Sequence, residues 1–208
     1  MANETCLEIA TPHGKVIGAY HPVEGATSAV VMVAGVFGGT DGPSRAYPAL
    51  AYQLQAAGTA ALRLDYRVPT NMNECVYDLD AGLHALGRMG FARFALVGWS
   101  LGGAVVISSG VAHPDVVAVA TLASQTAGAG AVGRLAPRSL LLLHGTADHV
   151  LPDACSRLLY QQAGEPKQLV LYDGDGHEFS RNHDEVIETL LMWALPLLGA
   201  STDARHEG

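Results

Sequence analysis

The 208-residue sequence predicts a doubly wound α/β domain, with a mostly parallel sheet of about eight strands and helices on both faces. Two observations predict it. Short apolar runs recur along the chain, and runs of this length suit strands that are covered on both faces. Segments with apolar residues at helical spacing alternate with these runs. One such run alone could be a buried helix, but regular alternation indicates a parallel sheet with right-handed crossovers.

The elements follow from the N-terminus. An antiparallel hairpin is expected first, with strands at Thr5–Thr11 and Lys15–Pro22 around a Pro-His-Gly turn. The apolar runs follow, at Ala29–Ala34, Thr59–Leu64, Phe94–Val97, Val116–Leu122, Leu140–Leu143 and Leu169–Tyr172. Helices are predicted at Pro43–Ala57, Asn73–Met89, Leu101–Ala112, Asp153–Ala163 and His183–Leu198, with a short one at Ala131–Leu135. We expect one domain over residues 1–199 and a flexible tail over residues 200–208.

Composition excludes several classes of function. The formal net charge is −8 and the twelve basic residues are scattered, which argues against a nucleic-acid partner. The first fifteen residues lack a signal-peptide pattern and the apolar runs are too short to span a bilayer, so we expect a cytoplasmic protein without a membrane partner. Cys6, Cys75 and Cys155 are well separated and lack metal-ligand spacing, so we expect reduced thiols and no metal.

The motif with the most specific chemistry is G-x-S-x-G at Gly98–Gly102. It follows the strand Phe94–Val97 directly and opens the helix Leu101–Ala112, which is the setting of a nucleophile elbow. Ser100 would then lie in a strained turn at a helix N-terminus, where the helix dipole favours developing negative charge. The alternative is a glycine-rich turn with an ordinary serine cap.

The acid is expected on the next strand end. Leu140–Leu143 runs into a loop that carries Asp148, and active-site groups of open α/β sheets lie beyond the carboxyl ends of strands. The preceding loop has no carboxylate between residues 123 and 138, which favours Asp148. Asp148 could also be an ordinary turn former. Asp153 is a weaker candidate that better suits the cap of the following helix.

The base is expected last in the chain. Of the nine histidines, only His177 lies on a glycine-rich loop after the final strand. Asp175 on the same loop could compete to orient it, but Asp148, from the next strand, is better placed to reach the ring. His144 and His149 flank Asp148 and are expected to shape its loop.

Ser100, Asp148 and His177 together suit covalent catalysis. A serine hydroxyl is a poor nucleophile at neutral pH, so a histidine must take its proton. A carboxylate then holds the correct tautomer and stabilises the imidazolium.

An oxyanion hole also requires two donors. The N–H of Leu101, the residue after the nucleophile, is one. The second is expected from the glycine-rich loop Gly35–Gly42, at Val36 or Phe37. A phosphate-binding loop is the alternative, but this loop lacks both G-x-G-x-x-G and the P-loop lysine.

From GVFGG through GWSLGG and HGTADHVLP to GDGH, the sequence resembles the α/β-hydrolase superfamily, whose nucleophile, acid and base follow one another in this order. It is most similar to small lidless serine hydrolases related to dienelactone hydrolase and to compact carboxylesterases. Two departures stand out. Ala34 and Gly35 replace the His-Gly found in many members, and Ser100 stands where dienelactone hydrolase has cysteine. The resemblance therefore implies the fold and the triad, but not dienelactone as substrate.

The resemblance also implies an open site and no cofactor. Members often insert a cap domain after the sixth strand, whereas Thr126–Arg138 leaves room only for a turn and a short helix. Phe37, Trp99, Leu151 and Phe179 adjoin the motif residues and are expected to line the site.

The expected function is hydrolysis of an ester or thioester of a small to medium acyl group through an acyl-enzyme. A cofactor-free perhydrolase or lyase, or a binding protein that keeps only the fold, is the alternative. The expected partner is a small molecule, and the protein is expected to be a monomer or homodimer.

Overall fold

The computed structural model describes residues 3–199, and eight strands form one sheet in the order β1-β2-β4-β3-β5-β6-β7-β8. The strands are β1 Thr5–Thr11, β2 Gly14–His21, β3 Ser28–Val33, β4 Ala60–Asp65, β5 Arg93–Trp99, β6 Val116–Leu122, β7 Ser139–Gly145 and β8 Lys167–Tyr172. Strands β1 and β2 are antiparallel to each other, and β2 is antiparallel to β4. The remaining pairs are parallel. The predicted mostly parallel sheet of about eight strands is confirmed.

Five α-helices cover both faces of the sheet. They are α1 Ala46–Ala56, α2 Met72–Arg88, α3 Leu101–Ala112, α4 Ala154–Gln162 and α5 His183–Leu198. Alternate residues of a strand face opposite sides, so on β3 Val31 and Val33 pack with α2 and α3, while Val30 and Met32 pack with α1 and α5. Burial on both faces explains why the central strands read as continuous apolar runs.

Two predicted helices differ in detail. The helix expected from Pro43 begins instead with a 3₁₀ turn, Pro43–Arg45, in which Ser44 (φ 44°) and Arg45 (φ 61°) are left-handed. The short helix at Ala131–Leu135 is a single 3₁₀ turn, Val132–Arg134. Within residues 3–199 the connection from β6 to β7 holds no other helix, so no cap domain is inserted there. The predicted tail, residues 200–208, lies outside the described part of the chain.

The strand order places a crevice beside β3. The chain leaves β3 for β4 on one side and reaches β5 on the other, so the loops after β3 and β5 diverge at their carboxyl ends. Ligands of open α/β sheets bind at such a switch point. The glycine-rich loop Gly35–Gly42 and Ser100 both lie there. No helix within the described residues has the length and apolarity needed to cross a membrane.

Candidate active site

Ser100 lies in a sharp turn between β5 and α3. Its backbone is strained, with φ 58° and ψ −118°, and its N–H donates to the carbonyl of Leu122 on β6 at 2.8 Å. The flanking residues must be small. A Cβ on Gly98 would lie 2.1 Å from the carbonyl oxygen of Gly102, and a Cβ on Gly102 would lie 2.4 Å from that of Ala34. The G-x-S-x-G motif is thus explained by close backbone packing that presents the serine at the sheet edge.

Asp148 follows β7, and its side chain is fully buried. Oδ1 accepts the backbone N–H groups of Val150 (2.8 Å) and Leu151 (2.9 Å), and Oδ2 faces Nδ1 of His177 at 2.7 Å. Burial by itself would raise the pKa of Asp148. The hydrogen bonds from Leu151, His177 and Val150 outweigh burial and hold this pKa below its ordinary value. The loop therefore maintains a buried carboxylate in its ionised form.

A second histidine supports this carboxylate from behind. Nε2 of His144 lies 3.0 Å from the carbonyl oxygen of Leu151 and 3.3 Å from Oδ2 of Asp148. Because a carbonyl oxygen only accepts, Nε2 carries a hydrogen, and in the neutral ring Nδ1 accepts the hydroxyl of Ser156 at 2.7 Å. His144 thus shapes the acid loop, as the sequence predicts, while His149 is exposed.

His177 follows β8, and its side chain is 11% exposed. The rival carboxylate, Asp175, is fully buried and committed to backbone donors, with Oδ1 2.8 Å from the N–H of Gly176 and Oδ2 2.9 Å from that of Asn182. The structure therefore brings Asp148, and not Asp175, to the ring of His177.

The loop after β8 must fold back over two strands to reach β5. This loop contacts β5 at Trp99, the residue before Ser100. The Nε1–H of Trp99 donates to the carbonyl oxygen of His177 at 3.1 Å. The Ser100 hydroxyl makes no hydrogen bond within residues 3–199. Hydrogen bonds between a nucleophile and its base commonly tighten only when substrate binds.

The candidate oxyanion loop begins against the nucleophile. The segment Gly35–Gly38 is a turn closed by an N–H···O bond of 3.0 Å, with Val36 and Phe37 at its centre. A Cβ on its first glycine would lie 3.1 Å from Cβ of Ser100. In the described chain the N–H groups of Val36 and Phe37 have no partner, and Leu101, as the first residue of α3, has no acceptor within its helix. The three N–H groups predicted as oxyanion donors are therefore without a backbone acceptor in the described part of the chain.

Side chains from β4 hold this loop in place. Oδ1 of Asp65 accepts the N–H of Gly39 at 2.6 Å, and Nη1 of Arg63 donates to the carbonyl of Thr40 at 3.1 Å. Arg63 is a buried cation on a central strand, paired with Glu4. Arg63 interrupts an otherwise apolar run, and this interruption was the signal in the sequence that could have identified an anchor.

The 3₁₀ turn that follows this loop is hydrogen bonded to the loop after β8, which carries the candidate base His177 (the base loop). The N–H of Ser44 donates to Oε2 of Glu178 at 3.0 Å, and its hydroxyl donates to the Glu178 carbonyl at 2.8 Å. Glu178 directly follows His177. These contacts stabilise the left-handed backbone of Ser44, and sequence reasoning missed them.

Four residues were predicted to line the site. Phe37 is 94% exposed, and Trp99 and Leu151 are half-buried. The prediction for Phe179 is wrong, because it is 1% exposed and packs edge-on against Tyr172 in the core. Its left-handed backbone (φ 53°) accompanies a chain turn at this point.

The prediction for Asp153 also needs correction. It occupies the N-cap position of α4, but its side chain makes no capping bond and instead accepts from Arg157 at 2.9 Å. Val150, in the same loop as Asp148, is 68% exposed and adds an apolar side chain that the sequence reasoning did not single out.

A cavity of about 440 Å³ lies at the amino ends of the parallel strands, lined by residues that include Arg93 and Arg138. Both guanidinium groups donate to backbone carbonyls there, Arg93 to Leu197 (2.7 Å) and Arg138 to Val116 (3.0 Å). Both arginines are therefore engaged by main-chain carbonyls of α5 and β6, and Ser100 and His177 lie at the other ends of the strands.

No protein-family model matches the chain. Among curated proteins it is 34% identical to the uncharacterized protein YfhR of Escherichia coli O157:H7, over 45% of this chain and 42% of that protein. It is 49% identical to YfhR of Salmonella typhi over 21% of this chain and 15% of that protein. The chain spans less than half the length of these curated relatives.

Solved structures match over nearly the whole chain. Est1E from Butyrivibrio proteoclasticus has a TM-score of 0.80 at 15% identity, covering 93% of this chain and 99% of that one. Dienelactone hydrolase from Anabaena variabilis has a TM-score of 0.78 at 20% identity, covering 92% and 96%. The esterase domain of a Rhodothermus marinus protein has a TM-score of 0.77 at 21% identity, covering 95% and 99%. The chain has the α/β-hydrolase fold, as the sequence resemblance predicts.

Proposed function

We propose that this chain is a serine hydrolase that cleaves an ester or thioester of a small to medium acyl group through an acyl-enzyme on Ser100. One observation carries the proposal. Three features lie at the carboxyl ends of the parallel strands: a serine with a strained backbone, a buried carboxylate hydrogen bonded to a histidine, and a turn with unpartnered N–H groups. These are the parts that acyl transfer to serine requires.

The reaction would proceed in two halves. His177 takes the proton of the Ser100 hydroxyl as Oγ attacks the acyl carbon, and the carbonyl π electrons move to oxygen. The N–H groups of Leu101 and of Val36 or Phe37 donate to that oxyanion. The C–O or C–S bond then breaks, and the leaving group takes the proton from His177. Water, deprotonated by His177, attacks the acyl carbon of the acyl-serine. The bond from that carbon to Oγ of Ser100 then breaks, the acid is released, and His177 returns the proton to Oγ. Asp148 stabilises the imidazolium throughout.

The named neighbours support this class of substrate. Two of the three similar structures are called an esterase and a dienelactone hydrolase, and one structure of Est1E contains ferulic acid. The exposed side chains of Phe37 and Val150 suit an apolar acyl or alcohol group. We propose that no cofactor is needed, because the chain itself supplies nucleophile, base and oxyanion donors.

The test is hydrolysis of p-nitrophenyl esters of increasing acyl length. We expect Ser100→Ala to reduce kcat/KM by roughly 10³-fold or more. Ser108→Ala is the matched control, because Ser108 lies on the helix that follows Ser100. Among the described residues its hydroxyl hydrogen bonds only to the carbonyl of Gly128 (3.3 Å). An organophosphonate should label wild type at Ser100 and leave Ser100→Ala unlabelled.

Equal, slow rates in wild type and Ser100→Ala on every ester and thioester, without labelling, would overturn the proposal and favour a binding protein. Labelling without ester turnover would move the assignment to perhydrolase or lyase chemistry, which product analysis with peroxide and acyl acceptors would identify.

A further inference from the structure

Trp99 is the last residue of β5 and makes two contacts with the base residue. Its Nε1–H donates to the main-chain carbonyl of His177 at 3.1 Å, and its ring centroid lies 5.4 Å from that of the imidazole, tilted by 42°. Its own backbone pairs with Leu122 of β6 in the sheet register. One residue therefore joins the rigid sheet to the loop that carries the base.

The position of this bond matters because the base loop starts far from the nucleophile. β8 is an edge strand, separated from β5 by β6 and β7. Asp148 holds the ring of His177, whereas Trp99 holds its main chain. Because Ser100 is the next residue, the side chain of Trp99 sets the separation between the backbones of nucleophile and base. An error of about 1 Å in such geometry can cost 10²-fold in rate.

We propose that Trp99 is a positioning residue, whose indole N–H fixes the main chain of His177 over the nucleophile elbow. The kinetic consequence rests on the proposed function, since it requires His177 to act as base. The contact itself does not, so the two can be tested separately. This role differs from the predicted one of lining the substrate cleft, because it acts through His177 and not through substrate.

The chain supplies a matched control. Trp193, the other tryptophan, is also half-buried against the same core face, and its Nε1–H donates to Oγ of Ser139 at 3.2 Å. Ser139 is the first residue of β7 and lies at the amino ends of the parallel strands, whereas Ser100 lies at their carboxyl ends. Replacing either tryptophan by phenylalanine removes one indole hydrogen bond, but only one of the two bonds reaches His177.

The kinetic test compares Trp99→Phe with Trp193→Phe on p-nitrophenyl acetate. We expect Trp99→Phe to lower kcat by about 10-fold to 100-fold with KM within about twofold, because geometry is lost and substrate contact is not. We expect Trp193→Phe to keep both constants. An unchanged kcat for Trp99→Phe, or a rise in KM alone, would overturn the positioning role.

A second test needs no activity. In Trp193→Phe the only tryptophan is Trp99, and a protonated imidazole in contact with an indole quenches its fluorescence. The titratable groups near His177 include Asp148, which is bonded to its ring, and His144 on β7, which contacts Asp148. Asp175 and Glu178 lie on the same loop as His177.

We expect the fluorescence of Trp193→Phe to fall as His177 takes up a proton, and this step to vanish in Trp193→Phe/His177→Gln. No such step in the first variant would overturn the contact even if esters are cleaved. A clear step without turnover of any ester would support the contact and overturn the proposed function.

Discussion

At the scale of single residues, Asp148 combines full burial with ionisation. Its two oxygens accept two backbone N–H groups and the ring of His177, so the carboxylate charge is stabilised in a place that water does not reach. We expect Asp148→Asn to lower kcat by about 10³–10⁴-fold, because an amide favours the wrong tautomer of the histidine. Ester hydrolysis rates measure it.

Asp153→Asn is the control, since Asp153 lies five residues along the same loop and its carboxylate contacts Arg157. We expect full activity from Asp153→Asn, and the reverse pattern would make Asp153 the acid.

The stability of Asp148→Asn should also differ from that of wild type in a pH-dependent way. The folded pKa of Asp148 is depressed, so its charge stabilises the fold above the unfolded pKa of about 3.9. This contribution is lost as pH falls through the folded pKa. Thermal melts should show the variant less stable than wild type at pH 7, with the difference shrinking in acid.

The sequence locates Ser100, Asp148 and His177 at strand ends because each lies within five residues of the end of an apolar run. It could not decide between core and cleft for Phe179, since an aromatic ring next to a motif residue suits either. Nor could it reveal the partner of Trp99, because that bond joins residues 78 positions apart, brought together only by the turn of the base loop.

At the scale of elements, α2 tests how closely helix and sheet approach. It contains two glycines with opposite surroundings, Gly82 inside the helix and Gly87 in its last turn. A Cβ on Gly82 would lie 2.7 Å from Cδ1 of the buried Leu64, whereas a Cβ on Gly87 would meet nothing within 4 Å. Gly82 thus allows the helix to pack against β4, and Gly87 serves no packing purpose.

We therefore expect substitution of glycine by alanine to have opposite effects on stability at these two positions. Gly87→Ala should raise the free energy of unfolding by about 0.5–1 kcal/mol, because alanine loses less backbone entropy in a helix. Gly82→Ala should lower it by about 1–3 kcal/mol through overpacking. Urea unfolding measures both, and each variant serves as the control for the other. Equal effects would mean that α2 does not contact β4 as described.

Helix and strand positions were predictable because apolar spacing and terminal glycines are local signals. The left-handed residues Ser44 and Arg45 were not, since neither is glycine and local propensity opposes such a backbone. Bonds from Ser44 to Glu178, 134 residues away, supply the missing stabilisation. Strain of this kind is visible only in the folded chain.

At the scale of the whole molecule, alternation predicts a parallel sheet but not its strand order. Strand β3 lies inside the sheet between β4 and β5, and the hairpin reaches the sheet through β4. After β3 the next parallel strand can lie on either side of it and still be reached by a right-handed crossover. The placement of β4 and β5 on opposite sides of β3, which creates the crevice, therefore depends on which helices pack together on each face of the sheet. The strand order is thus set by the apolar faces of all the helices and strands together, and no single sequence motif predicts it.

A core built from all the strands and helices together should unfold cooperatively. The reactivity of the Cys75 thiol on α2 can measure this unfolding. Cys75 is fully buried, and burial, followed by the charges of Asp78 and Glu74, raises the pKa of its thiol to about 12. A thiol reagent requires both access and thiolate, and the native fold denies both. Cys6 on the edge strand β1 is exposed. In the folded protein the two thiols should therefore differ greatly in reactivity.

The comparison uses Cys6→Ser/Cys155→Ser, which leaves Cys75, and Cys75→Ala/Cys155→Ser, which leaves Cys6. We expect Cys75 to react with an aromatic disulfide at least about 10³-fold more slowly than Cys6, because global unfolding of a domain costs about 5–15 kcal/mol. Its rate should also rise with urea as steeply as global unfolding does, when both are followed by absorbance and circular dichroism. Labelling of Cys75 that is slow but independent of urea would mean that α2 detaches by a local fluctuation, and the sheet and its helices would then not form one cooperative unit.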